Sequence, residues 1–331
     1  MSLDEAAQGS GIPRRPRVVV VGSINMDLVA RVQQLPRPGE TVHGRDLVQN
    51  PGGKGGNQAV AASRLGARST IIARVGGDGF GRQLIDALRS QSVIVDQIAV
   101  TQRCASGVAL IGVDERGENA ITIVSGANGC LTPDDVLRRR DVIAAADVLV
   151  AQLEIPPATV ETAIGIARDE RVMTVLDPAP APLGGLPAAL YNVDVLTPNA
   201  TEAEILTQSG VRSVAEAAAA ARALRARGAA AVVVKLGEAG AMLLAEADEA
   251  IHMAARAVDV VDTTAAGDAF TAALAMAWAM RVPPSQAVAR ACAAGTLACT
   301  RQGAQQSMPN CEELQQFLSH AARSADRVES K

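Results

Sequence analysis

The chain has 331 residues, 48% hydrophobic and 20% charged, with a formal net charge of −4. This is the composition of an ordinary globular protein, long enough for one large α/β unit or two smaller ones. The charge offers no general attraction to nucleic acid or an anionic membrane, and aromatics at 2% supply few rings for stacking bases, so neither partner is expected.

Residues 1–16 are polar with Gly and Pro and are expected to form a mobile arm. Arg17 to Val21 is β-branched after its first residue and ends at Gly22, which predicts a buried first strand. Asp27 to Gln33 and Thr41 to Gln49 alternate loosely and read as exposed strands. A helix is expected over Gly55–Leu65, a strand over Ser69–Val75 and a helix over Gly81–Leu88. Two more alternating strands, Ser106–Val113 and Asn119–Val124, flank a turn at Asp114–Gly117. Strands at Val148–Val150, Val172–Leu176, Val193–Leu196 and Ala231–Val234 then alternate with helices at Ala158–Ala167, Ala203–Leu206 and Val214–Ala226. Helices at Ala266–Met280, Pro284–Cys299 and Cys311–Ala321 follow, and 322–331 is expected to be a frayed tail.

The alternation predicts an α/β fold: a doubly wound, mostly parallel sheet flanked by helices. The exposed strands, at about 27–49 and 106–124, do not fit that core and are expected to form a small β-sheet lid on a single domain spanning 17–321.

Four runs have the chemistry of a site. In Asp262-Thr263-Thr264-Ala265-Ala266-Gly267-Asp268, small residues open an apolar helix. A helix N-terminus with unobstructed N–H groups holds anions. A carboxylate there repels the anion unless it handles protons, so Asp268 reads as a base beside a phosphoryl site; the alternative is a plain carboxylate on a helix dipole. Gly52-Gly53-Lys54-Gly55-Gly56-Asn57-Gln58-Ala59 also opens a helix. It is not a P-loop, because Gly55 follows the lysine and Val48 stands where the leading glycine belongs. It is either a flexible turn or a close backbone approach to a polar ligand. Gly22-Ser23-Ile24-Asn25-Met26-Asp27 follows the first strand, where open α/β sheets bind ligands, although Asn and Asp also favour turns. Glu154 holds the equivalent place after Val148–Val150. In Asn199-Ala200-Thr201-Glu202, Thr201 with Glu204 could form a capping box. That leaves Asn199 and Glu202 to hold a hydrated Mg²⁺ near phosphates.

The runs Gly52–Ala59 and Asp262–Phe270, with Asn25-Met26-Asp27, Pro38–Thr41, Gly126–Asn128, Asp177–Pro180 and Arg301–Gln305 in this order, resemble the ribokinase-like carbohydrate kinase family from Val18 to about Phe317. The resemblance implies ATP-dependent phosphorylation of D-ribose at the 5-hydroxyl. Asp268 would be the general base, with the N–H groups of Ala265, Ala266 and Gly267 as an anion hole. Asn25, Asp27, Gly52, Gly53, Lys54, Asn57 and Glu154 would hold the sugar, and Ile123 would close over it. Asn199, Glu202, Lys235, Gly237, Gly240, Gly267 and Cys292 would lie along ATP, with Glu202 reaching Mg²⁺ through water. Asp262, Thr264, Ala298, Arg301, Gly303 and Ser307 would surround a monovalent cation, K⁺, that orders the anion-hole loop. The resemblance also implies a homodimer paired through the lid strands, which would cover their open edges. The chain departs from the family where Ala200 replaces a common Glu and Lys235 a common Thr. Other sugar or nucleoside kinases, a non-catalytic sugar binder, and a nicotinamide oxidoreductase disfavoured by the missing dinucleotide fingerprint are the rival readings. Almost no aromatics are available to wall a nucleoside base.

Five scattered cysteines with no Cys-x-x-Cys pair read as reduced thiols, and with no signal-peptide pattern they imply a cytoplasmic protein. His43, His252 and His320 have no ligand-like spacing.

Overall fold

The computed structural model describes residues 14–245 and 249–329. Most of the expected arm and the last two residues of the expected tail lie outside this range. Nine strands form one mixed sheet in the order β13-β12-β11-β10-β9-β8-β1-β4-β5. The seven from β11 to β5 are parallel: Ala231–Lys235 (β11), Val195–Leu196 (β10), Met173–Leu176 (β9), Val148–Ala151 (β8), Arg17–Val21 (β1), Arg68–Gly76 (β4) and Ile98–Thr101 (β5). Ala241–Leu244 (β12) and Ala250–Met253 (β13) add antiparallel at one edge.

Helices cover both faces. Lys54–Arg64 (α1), Gly79–Ser90 (α2), Ala266–Ala279 (α8), Pro284–Ala298 (α9) and Cys311–Glu329 (α10) belong to one side. Pro133–Leu137 (α3), Arg140–Ala144 (α4), Pro157–Asp169 (α5), Ala200–Thr207 (α6) and Val214–Arg225 (α7) belong to the other. Along β1, Val18 and Val20 face the first layer and Val19 and Val21 the second. All four are at most 3% exposed, and burial of each contributes roughly 1.5–3 kcal/mol. This anchors the loop that starts at Gly22. Helix α8 is buried all round from Asp268 to Ala277, as an Ala-rich helix between two others must be, and it packs on α1 and α9.

A second sheet has the order β3-β2-β6-β7, from Gly44–Gly52, Asn25–Val32, Gly107–Val113 and Asn119–Val124. β2 lies parallel to β6, and the other pairs are antiparallel. Asp27 pairs with Ala109, and Ala109 with Ile123, so Ile123 shares the face that carries Asp27. The third strand begins at Gly44 rather than Thr41 and continues to Gly52, which joins the exposed strand directly to the glycine run.

Other departures have local causes. The short helices at 133–144 and the edge strands at 241–253 are too brief for a periodic signal. The last helix runs on to Glu329 through residues expected as tail, since no Gly or Pro follows Cys311. Cys104 and Cys130 are joined in a disulfide, which corrects the expectation of five reduced thiols. They are 26 residues apart, but the backbone bond from Ala127 N to Ala105 O (2.7 Å) brings their turns together.

Candidate active site

Adjacent parallel strands deliver the polar residues of one cleft from their C-terminal ends. Ser23, Asn25 and Asp27 follow β1, Gln152 and Glu154 follow β8, Asp177 follows β9, Asn199 follows β10, and Lys235 ends β11. The chain leaves β1 toward β4 on one side and later adds β8 on the other, so the cleft begins at the switch point of the sheet. The N-termini of α1 and α8 meet above it.

The glycine run lies closely against the β1–β2 loop of the protein rather than forming a flexible turn. A Cβ on Gly52 would overlap the Asp27 carboxylate. One on Gly53, whose φ is +83°, would lie 2.6 Å from Asn25 N, and one on Gly55 2.6 Å from Ser23 N. Side chains there would push α1 away from the β1–β2 loop. Glu154 ties the two together: one carboxylate oxygen accepts from Ser23 Oγ at 2.5 Å, Lys54 N at 3.2 Å and Asn25 Nδ2 at 3.5 Å. Asn128 grips the loop from behind, accepting from Ile24 N at 2.9 Å and donating to Asn25 Oδ1 at 2.7 Å.

Asp268 is 4% exposed in the first turn of α8. It accepts from Asn57 Nδ2 at 2.9 Å and Gln58 Nε2 at 3.0 Å. Gln58 Nε2 also donates to Asp177 at 3.0 Å, and its oxygen accepts from Gln152. Burial pushes the Asp268 pKa up, against Lys54 and the two amides, which favour the ionised form. The result is a carboxylate more basic than usual. Burial first, then the charges of Glu154 and Asp268, raise Asp27 to about 7. Burial disfavours the charge on Lys54, but Asp268, Asp177, Glu154 and Glu202 outweigh it and lift its pKa above the ordinary lysine value. Lys54 is therefore the cation around which the carboxylates gather. Acceptors open to a polar guest include the Asp27 carboxylate, to which nothing among the described residues donates, and Asn57 Oδ1, buried without a partner.

A cleft of about 1120 Å³ continues from Lys54 and Asp268 past Asp177, Asn199, Glu202 and Lys235 to Gly237, Gly240, Val258, Cys292 and Thr296. Ala265 caps α8 in the left-handed conformation at φ +60°, unusual for a residue with a Cβ. Ala266 N donates to Thr263 O at 3.3 Å, which turns one of the three expected anion-hole donors toward its own loop.

Asn199, not Thr201, is the N-cap of α6. Its side chain accepts from Glu202 N at 2.8 Å, and Glu202 accepts from Asn199 N at 2.8 Å. This corrects the expectation of a Thr201–Glu204 box, because the helix already begins at Ala200, directly after Asn199; Glu204 instead accepts from Val211 N. Burial, with Asp177 nearby, raises the pKa of Glu202. Asp262 accepts from Thr264 N at 2.8 Å and Gly303 N at 2.9 Å. Those bonds overcome its partial burial and hold its carboxyl below the usual range. Of the rest of that expected set, Arg301 N reaches Ala298 O at 3.4 Å, the Arg301 side chain pairs with Glu313, and Ser307 donates to Ala304 O. The sequence reading gave no role to Gln58, Asn128 or Asp177. Their signal was a buried polar residue inside an otherwise apolar or Gly-rich run.

A base at a helix N-terminus, a polar pocket beneath it and a long cleft beside it define a phosphotransferase acting on an alcohol. The model of the pfkB family carbohydrate kinases matches residues 15–311, and the chain belongs to that family. It is 41% identical over 274 residues to mouse ribokinase, covering 80% of this chain and 84% of that one. It is 33% identical to a deoxyribokinase of Salmonella typhi over 302 residues, 91% of this chain and 98% of that one. The structure of Arabidopsis thaliana ribokinase complexed with ribose and ATP is similar at a TM-score of 0.84 and 30% identity, covering 92% and 99% of the two chains.

Proposed function

We propose that the chain transfers the terminal phosphoryl group of ATP to the 5-hydroxyl of D-ribose, giving ribose 5-phosphate and ADP. The observation that carries this is the direct bond between Asp268 and Asn57, which puts a basic carboxylate on the rim of the pocket formed by Asn25, Asp27, Lys54 and Glu154. Asp268 takes the hydroxyl proton while the acceptor oxygen bonds to phosphorus and the bond from phosphorus to the leaving oxygen of ADP breaks. The N–H groups of Ala265 and Gly267 face the charge on the moving group, and such donors typically contribute about 10²–10³ in turnover. Asp27 and Asn57 Oδ1 accept from the sugar hydroxyls. The small sheet acts as a lid, with Ile123 on its sugar-facing side excluding water as a competing acceptor.

The residues fit a metal carried in with the nucleotide. Among the described residues no three His, Cys, Asp or Glu side chains could hold an ion alone. Mg²⁺ keeps its waters and needs few protein ligands, so Glu202 and Asn199 serve it from outside. Bound there, it neutralises phosphate charge. The Asp262–Gly303 turn, an ionised carboxylate among backbone groups, fits a monovalent cation that braces the anion-hole loop.

Exposed Leu47 and Leu110, with the open edges of β3 and β7, favour a homodimer through the lid. A solution mass of one chain contradicts that. We infer a cytoplasmic setting from the use of ATP. Among the described residues no helix is long and apolar enough to cross a membrane.

The likeness to a deoxyribokinase keeps deoxyribose as the second acceptor. A coupled ADP-release assay over ribose, deoxyribose, hexoses and nucleosides, with and without K⁺, separates these readings. The highest kcat/KM belongs to ribose; no release with any sugar sinks the proposal.

A further inference from the structure

Asp177 is the least exposed carboxylate on the cleft wall, at 1%, and the reaction as described does not use it. It accepts from Lys235 Nζ at 2.8 Å, Gln58 Nε2 at 3.0 Å and Thr271 Oγ1 at 3.4 Å. Desolvation offsets much of the attraction in so enclosed an ion pair, so stability alone does not account for it. What the pair does is fix an ammonium group. Lys235 Nζ lies 3.8 Å from the point a Cβ on Gly267 would occupy, beside the first turn of α8 and one residue from Asp268. One of its three donors goes to Asp177. Its side chain, 12% exposed, lines the cleft. The same cleft carries the carboxylates of Asp177, Glu202 and Asp268 against the cations Lys54, Lys235 and Arg256, and of these Lys235 is the one bonded to Asp177.

We propose that Lys235 is a catalytic residue that bonds the phosphoryl group during transfer, with Asp177 as its positioning residue. The backbone hole offers only neutral dipoles; Lys235 adds a full charge where the nonbridging oxygens lie. As the bond to the acceptor oxygen forms and the bond to the leaving phosphate breaks, the acceptor proton goes to Asp268. Lys235 keeps its own protons and acts as a charged hydrogen-bond donor. The inference rests on reading the cleft as the nucleotide site, but not on ribose as the acceptor.

The test is calorimetric titration of Lys235→Met and of the double variant Lys235→Met with Asp177→Asn. Each is titrated with the β,γ-methylene analogue of ATP and with adenosine, with and without Mg²⁺. The double variant removes the buried carboxylate that the single change would orphan. In both, affinity for the triphosphate analogue falls about 10- to 100-fold, the worth of a charged hydrogen bond, and adenosine changes by less than about twofold. Lys235→Arg retains part of the loss. Wild-type affinity for the analogue, equal weakening of both ligands, or recovery in the double variant each overturns the proposal, the last because Lys235 would then only neutralise Asp177. Failure of the ribose reading would appear in the acceptor panel and leave these titrations unchanged.

Discussion

Asn57 donates to Asp268 at 2.9 Å across 211 residues of sequence. The bond joins the first turns of α1 and α8, so the helix that carries Lys54 and Asn57 also orients the Asp268 carboxylate.

Asp268→Asn keeps the shape and both helix ends, and removes the proton acceptor. Loss of a general base lowers turnover by about 10²–10⁴. Steady-state kcat and ribose calorimetry together check this: kcat falls by that factor while ribose affinity stays within about threefold. Near-normal kcat removes Asp268 from the role of base.

Asn57→Ala withdraws a donor that favours ionised Asp268, so the pKa of the base rises further above the ordinary carboxylate value. The acid limb of the kcat profile therefore shifts to higher pH. An unmoved limb accompanied by a higher ribose KM would assign Asn57 to the sugar alone.

Asp27 has a folded pKa of about 7 against an ordinary value of 3.8. A carboxyl raised on folding stabilises below its unfolded pKa, and that contribution is lost as pH rises through about 7. Asp27→Asn therefore raises the Tm more at pH 8 than at pH 5, while losing roughly tenfold or more in ribose kcat/KM. A Tm gain that does not change with pH contradicts the ionisation argument.

Asp135 caps α3 with Thr132 and bonds Arg74 at 2.5 Å and Arg138 at 2.7 Å. Burial opposes its charge, but Arg74 and Thr132 hold its carboxyl well below the usual range. Its contribution is present above the ordinary carboxylate pKa and is lost on acidification below it. Asp135→Ala leaves Arg74 without its buried partner and costs about 3–5 kcal/mol in denaturant unfolding at pH 7, with kcat unchanged. A cost under about 1 kcal/mol would place the pair among surface bridges.

The main sheet was legible because β-branched runs such as Val18–Val21 are buried on both faces and end in glycine. Asp268 stands out in the sequence as a candidate base because a carboxylate after three small residues has few structural uses. The Asp177–Gln58–Asp268 network is not legible there, because its members lie 91 to 210 residues apart and meet only once the sheet and its helices are assembled. The Cys104–Cys130 contact is likewise a product of two loops folding over β4. The cap of α6 was misplaced by two residues because Asn199 and Thr201 are both good caps, and only the turn after β10 chooses between them.

Glu202 both closes the end of α6 and lines the cleft, so a substitution there alters the helix cap and the cleft wall at once. Ala200, two residues earlier, makes no capping bond, so its side chain can be exchanged without opening the end of α6.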